Sequence, residues 1–92
     1  MKSAYELAME RLEKAAPSVK LSDAKRAEIA ELDSIYKSKI AEKEVFLGGE
    51  LDKARAKRDF GEIEALQLQL HREVRRLQAE CEEKKERVRQ AD

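Results

Sequence analysis

Residues 54–63 read Ala54-Arg55-Ala56-Lys57-Arg58-Asp59-Phe60-Gly61-Glu62-Ile63, and this stretch decides the fold. Asp59 followed three residues later by Glu62 is an aspartate version of the capping box. Its carboxylate can take the orphan amide of Glu62, so a helix starts at Phe60. Arg58 sits where a glycine would most cheaply end the helix before it. Working outward from this point, large apolar residues recur on both sides at helical spacing. Upstream they are Ile29, Leu32, Tyr36, Ile40, Leu47, Leu51 and Ala54, with Lys43 filling one place in the series. Downstream they are Ile63, Leu66, Leu70, Val74, Leu77, Cys81, then Lys84 or Lys85, and Val88.

Facing residues of an antiparallel pair have position numbers that add to a constant. Here 54 with 63, 51 with 66, 47 with 70, 40 with 77, 36 with 81 and 29 with 88 all add to 117. Half of that falls between Arg58 and Asp59, where the cap independently places the turn. The reading is an all-α chain built on one long antiparallel helical hairpin, helix 2 over about 23–57 and helix 3 over about 60–89. Spacings are a mixture of threes and fours, about 3.6 on average, so the pair should be nearly straight or weakly supercoiled. Lys43 against Val74 is a polar flaw, resolved if the stem packs and the ammonium reaches outward.

Further out, Ser22 caps helix 2, with Asp23 placed favourably for the dipole in its first turn. Gly48-Gly49 should weaken that helix by about 2 kcal/mol relative to alanine. The pair reads as a tolerated soft spot or slight kink, a hinge, or a place where another helix backbone comes close. Ser3 and Glu6 form a second capping box, starting helix 1 over about 4–16, which Pro17 ends. Its stripe of Tyr5, Ala8, Met9, Leu12 and Ala15 or Ala16 is expected to dock on the open end of the hairpin. The small surface of Ala24, Ala27 and Ala30, with Ile35, would receive it. Val19 and Leu21 of the connector should tuck against the helices.

Composition agrees with a thin structure. The chain has 92 residues, one domain at most, and 13 of its 38 hydrophobic residues are alanine. Twenty basic and 20 acidic side chains cancel, which argues against gripping nucleic acid or an anionic membrane by bulk electrostatics. Cys81 is the single cysteine, so no disulfide can form within the chain, and a cytoplasmic, reducing setting is expected. No run is long and apolar enough to span a bilayer, and Met1 to Ala16 reads as neither a signal nor a transit sequence.

No catalytic, metal or nucleotide motif stands out. His71, the only histidine, has Gln67 and Arg75 one turn away, which do not complete a zinc set. Cys81, facing Tyr36 on the seam, reads as a small buried hydrophobe with an inert thiol. A thin hairpin offers no cavity in which paired carboxylates could do acid–base work. The expectation is a non-enzymatic interaction or scaffold module without cofactor, metal or small-molecule substrate. Val45, Phe46 and Leu68 fall off the seam, on the half of the arm helix 1 cannot cover. With Gly48 and Gly49 they are the candidate interface, for a homodimer or another helical partner. The alternative is weak, sequence-independent nucleic-acid binding by the basic tip, through Lys53, Arg55, Lys57, Arg58, Arg72, Arg75 and Arg76.

Leu51 to Leu70, with the Asp59-Phe60 turn and Ile63, Leu66 and Leu70 beyond it, resembles the short helical hairpin of the UvrB and UvrC nucleotide-excision repair proteins. In place of that family's paired alanines and Leu-Arg-Asp it has Ile63-Glu64 and Leu66-Gln67-Leu68. The resemblance implies a protein–protein contact element. Met1 to Leu12 is similar to the start of small bacterial helical proteins, a likeness that implies no activity.

Overall fold

A computed structural model describes residues 3–15 and 21–91, with side chains described for 3–9 and 21–91. Three helices follow in order: α1 (Ala4–Ala15), α2 (Asp23–Ala56) and α3 (Phe60–Gln90). At about 1.5 Å per residue, α2 and α3 are each close to 50 Å long. They lie antiparallel against each other, and the hairpin is the body of the protein.

The starts follow the sequence signals. Ser3 Oγ accepts from the Glu6 amide at 3.2 Å, Ser22 Oγ from Lys25 at 3.2 Å, and Asp59 Oδ1 from Glu62 at 3.1 Å. The turn holds a finer device than a cap alone. The Asp59 amide donates to the Ala54 carbonyl and the Arg58 amide to the Arg55 carbonyl, each at 3.0 Å. These two bonds make a Schellman motif, whose left-handed position is filled by Arg58 at φ 55°. A residue with a Cβ pays about 1–2 kcal/mol for that conformation, and glycine recovers only part of it because its unfolded chain is freer. Arg58→Gly should therefore stabilise the hairpin by about 0.5–1 kcal/mol. A urea midpoint that fell on this substitution would show that the Arg58 side chain holds the turn by contacts of its own.

The seam is the one the arithmetic describes. Tyr36, Leu47, Leu51, Ala54, Leu77 and Cys81 are buried. Ile29, Leu32, Ile40, Ile63, Leu66, Leu70, Val74 and Val88 are half-buried. Tyr36, Leu77 and Cys81 cluster, with Leu32 and Ile40 packed against them. Lys85 rather than Lys84 takes the open seam position, half-buried where Lys84 is exposed. Lys43 behaves as a snorkelling residue: its ammonium lies 3.7 Å from Glu73 beside the seam.

The expected docking of helix 1 is not seen among the described residues, where only α2 and α3 pack on each other. Tyr5 is 73% exposed and Met9 43%. Ala24, Ala27 and Ala30 are also exposed. The physical reason is area: three alanine methyls offer an incoming helix little apolar surface to bury. The side chains of Leu12 and Ala15, and residues Ala16, Pro17 and Val19, lie outside what is described. Leu21 is half-buried.

Candidate interaction surfaces

Helix geometry sorts the residues left off the seam onto different faces. Val45 lies two residues from the seam positions Lys43 and Leu47, hence about 200° around α2 from each. Leu68 stands in the same relation to Leu66 and Leu70 on α3. Each therefore points away from the other helix, and the two occupy opposite outer edges of the arm. Val45 is 77% exposed and Leu68 48%. Phe46, also largely exposed, lies on a broad face of the hairpin that it shares with Ile35, eleven residues and three turns away. The structure does not bring Val45, Phe46 and Leu68 into one patch.

Gly48 and Gly49 sit inside an uninterrupted α2, with no positive φ. Gly48 is half-buried and Gly49 exposed. A Cβ built on either would meet nothing within 4 Å. The space that either methyl would fill is open among the described residues, so the fold of one hairpin does not require either glycine.

The basic residues of the tip are all exposed, and they too spread over several faces. Arg55 pairs with Asp52 at 3.4 Å, Lys53 with Glu50 at 3.4 Å, and Arg76 with Glu80 at 2.7 Å. Lys57 and Arg58 are at the turn itself. Arg72 and Arg75 lie along the outer side of α3, about 18 Å and more beyond its start. A field divided this way and partly neutralised in place does not focus on one phosphate track. Phe60, 76% exposed beside Arg58, is an aromatic that the seam reading leaves without a role.

A groove of about 580 Å³ runs along the other broad face, between α2 and α3, over Tyr36, Ile40, Ala41 and Cys81. Lys37 and Glu44 stand on its α2 rim, Gln78 and Glu82 on its α3 rim. A shallower continuation toward the tip is lined by Glu44, Gln67, Leu70, His71 and Val74, and His71 is exposed there. Cys81, at the floor, is 3.7 Å from Asp33 Oδ1. Burial pushes its thiol up from the ordinary range, and the Asp33 carboxylate pushes the same way. It is a poor nucleophile at neutral pH. No group of three metal-binding side chains occurs among the described residues.

The end of the groove is closed by an inter-helix bridge that sequence reading missed. Lys85 Nζ lies 2.9 Å from Asp33 Oδ1 and 2.9 Å from Glu82. The numbers 33 and 85 add to 118, one off the seam constant, which is the available signal. The Lys85 hydrogen bond holds the Asp33 carboxyl below its usual range, and the Asp33 bond first, then that of Glu82, raises the Lys85 ammonium. A lowered carboxylate stabilises the fold above its unfolded pKa and loses that contribution as pH falls through its folded one. A raised ammonium contributes below its unfolded pKa and loses it as pH rises through its folded one. The bridge thus operates between the acid and alkaline limits. Asp33→Asn should lower Tm at neutral pH, with the difference from wild type closing below the ordinary carboxylate range. An unchanged difference in acid would mean that the asparagine acts through packing.

No helix among the described residues is long and apolar enough to cross a membrane. Compared with known proteins, the chain matches no family model, no curated protein and no solved structure.

Proposed function

We propose that this chain is a non-enzymatic interaction or scaffold module that works by self-association through its hairpin arm. The observation that carries the reading is the surface the arm leaves open. A folded monomer of 10.6 kDa ordinarily exposes about 5,500 Å². This one, drawn out to 68 × 29 × 17 Å, exposes 7578 Å², the uncovered surface of α1 included. On the arm it leaves open Val45, Phe46, Leu68 and a groove on the opposite face from Phe46. Covering such surface with a second copy, or with another helical protein, is the ordinary way for a two-helix arm to become a stable bundle. The resemblance of Leu51 to Leu70 to a hairpin used for protein contacts supports the same class of function. A cytoplasmic setting, suited to a lone reduced cysteine, belongs to this reading.

Sedimentation equilibrium of the full chain across a wide concentration range is the test. A monomer–dimer equilibrium is expected, and a strict monomer at every concentration overturns self-association. Retention on duplex DNA at low salt, lost on charge reversal of Arg55, Arg58 and Arg75, would favour the basic tip instead.

A further inference from the structure

We infer that the occupant of the groove over Tyr36, Ile40, Ala41 and Cys81 is the same groove of a second copy. The two α2 helices would cross antiparallel about a two-fold axis beside Ala41. The inference rests on the self-association proposed above and assigns its surface.

Three observations converge on it. The first is exposure. Lys37, Ala41 and Glu44 on α2 and Gln78 and Glu82 on α3 are all exposed, so the walls of the groove stand uncovered among the described residues. The second is charge. Lys37 and Glu44 lie four residues before and three after Ala41, so all three share one broad face of α2. A two-fold between Ile40 and Ala41 sets position 37 of one copy opposite position 44 of the other, and does so twice. Lys37 therefore meets Glu44 of the second copy at both ends of the contact. Within one chain the two residues are seven apart, and neither has an ion-pair partner among the described residues. The third is the shape of the approach. Ala41 is exposed and small, and Gly48, two turns away on that face, has open space around the Cβ it lacks. On the exposed side of the centre Ala41 offers only a methyl, so the second helix can come down onto Ile40. Ile40 and Ala41 would then be covered by their own image, giving a four-helix layer with the Lys37–Glu44 pairs at its rim.

The test is sedimentation equilibrium of the full chain in wild-type and substituted forms, with circular dichroism to follow the fold. Ala41 is exposed in the hairpin, so Ala41→Glu should leave helicity unchanged. It should place two carboxylates together at the axis and hold the chain monomeric where wild type is dimeric. Lys37→Glu alone, or Glu44→Lys alone, should raise the dissociation constant about tenfold by setting like charges opposite each other twice. The double swap Lys37→Glu with Glu44→Lys should restore it, which a merely structural role for either residue would not produce. Phe46→Glu, on the other broad face, should have no effect. A dimer that Phe46→Glu dissociates and Ala41→Glu does not would overturn the groove while leaving self-association standing. A wild type that never dimerises would end both.

Discussion

Leu47→Ala is expected to cost about 2–3 kcal/mol of stability. Leu47 is 2% exposed, and the register sets it level with Leu70 midway between the core cluster and the turn. A buried leucine cut to alanine loses its transfer free energy and leaves a void, at about 2–5 kcal/mol in a well-packed core. A two-helix seam has only one layer around the site and can partly close over it, which argues for the lower end. The consequence should be local as well. Between Leu47 and Leu77 the seam offers only Lys43, Ile40, Leu70 and Val74, all half-buried. Emptying position 47 should therefore uncouple the tip half of the hairpin from the half that holds Tyr36, Leu77 and Cys81. Hydrogen exchange would register this as lost protection over Leu47–Leu70, with the amides around Tyr36 and Cys81 less affected. Uniform loss along both helices would show that the hairpin unfolds as one unit. A loss under 1 kcal/mol would mean that Leu47 is not packed as its burial implies.

The same seam explains how much could be read from the sequence. A helix that meets one antiparallel neighbour writes its contacts twice, once on each strand of the hairpin, and the two records must share a constant. Fourteen of the seam positions from Ile29 to Val88 needed nothing beyond this, and Lys84 against Lys85 stayed open because both lie within reach of it. The cap at Asp59 was equally legible, being a bond between residues three apart. The Schellman bonds behind it were hidden because Arg58 occupies a place that glycine usually marks. Helix α1 was legible as a helix and not as a neighbour: its stripe has no second record to set a register against. The outward residues failed for a different reason. Val45, Phe46 and Leu68 are close in level along the arm, but level does not give direction. The rotation of about 100° per residue sends them to two edges and a face. The Asp33–Lys85 bridge and the groove lie beside the seam, where the arithmetic holds only to within one residue.

Gly48→Ala with Gly49→Ala should raise stability by about 2 kcal/mol, the largest gain available in this chain. Each glycine gives α2 more freedom to lose on folding, worth about 1 kcal/mol relative to alanine in a helix interior. The usual reasons for retaining glycine do not apply within one hairpin. Neither has a positive φ, and a methyl at either would find open space. Thermal unfolding of the dilute protein should therefore show each substitution as stabilising and the pair as close to additive, since neither methyl meets the other's surroundings. The two should part company as concentration rises. Gly48 lies two turns from Ala41 on the groove side of α2, and Gly49, one residue further, is turned about 100° away from it. If the second copy seats there, Gly48→Ala sets a methyl into the approach and its gain should shrink at concentrations that favour the dimer. Gly49→Ala should keep its full gain throughout. Equal gains at every concentration would remove Gly48 from the contact and leave Ala41, Lys37 and Glu44 to define it. A loss of stability in the dilute monomer from either substitution would mean that α2 uses the pair as a bend, and that its continuous helix depends on the flexibility that alanine takes away.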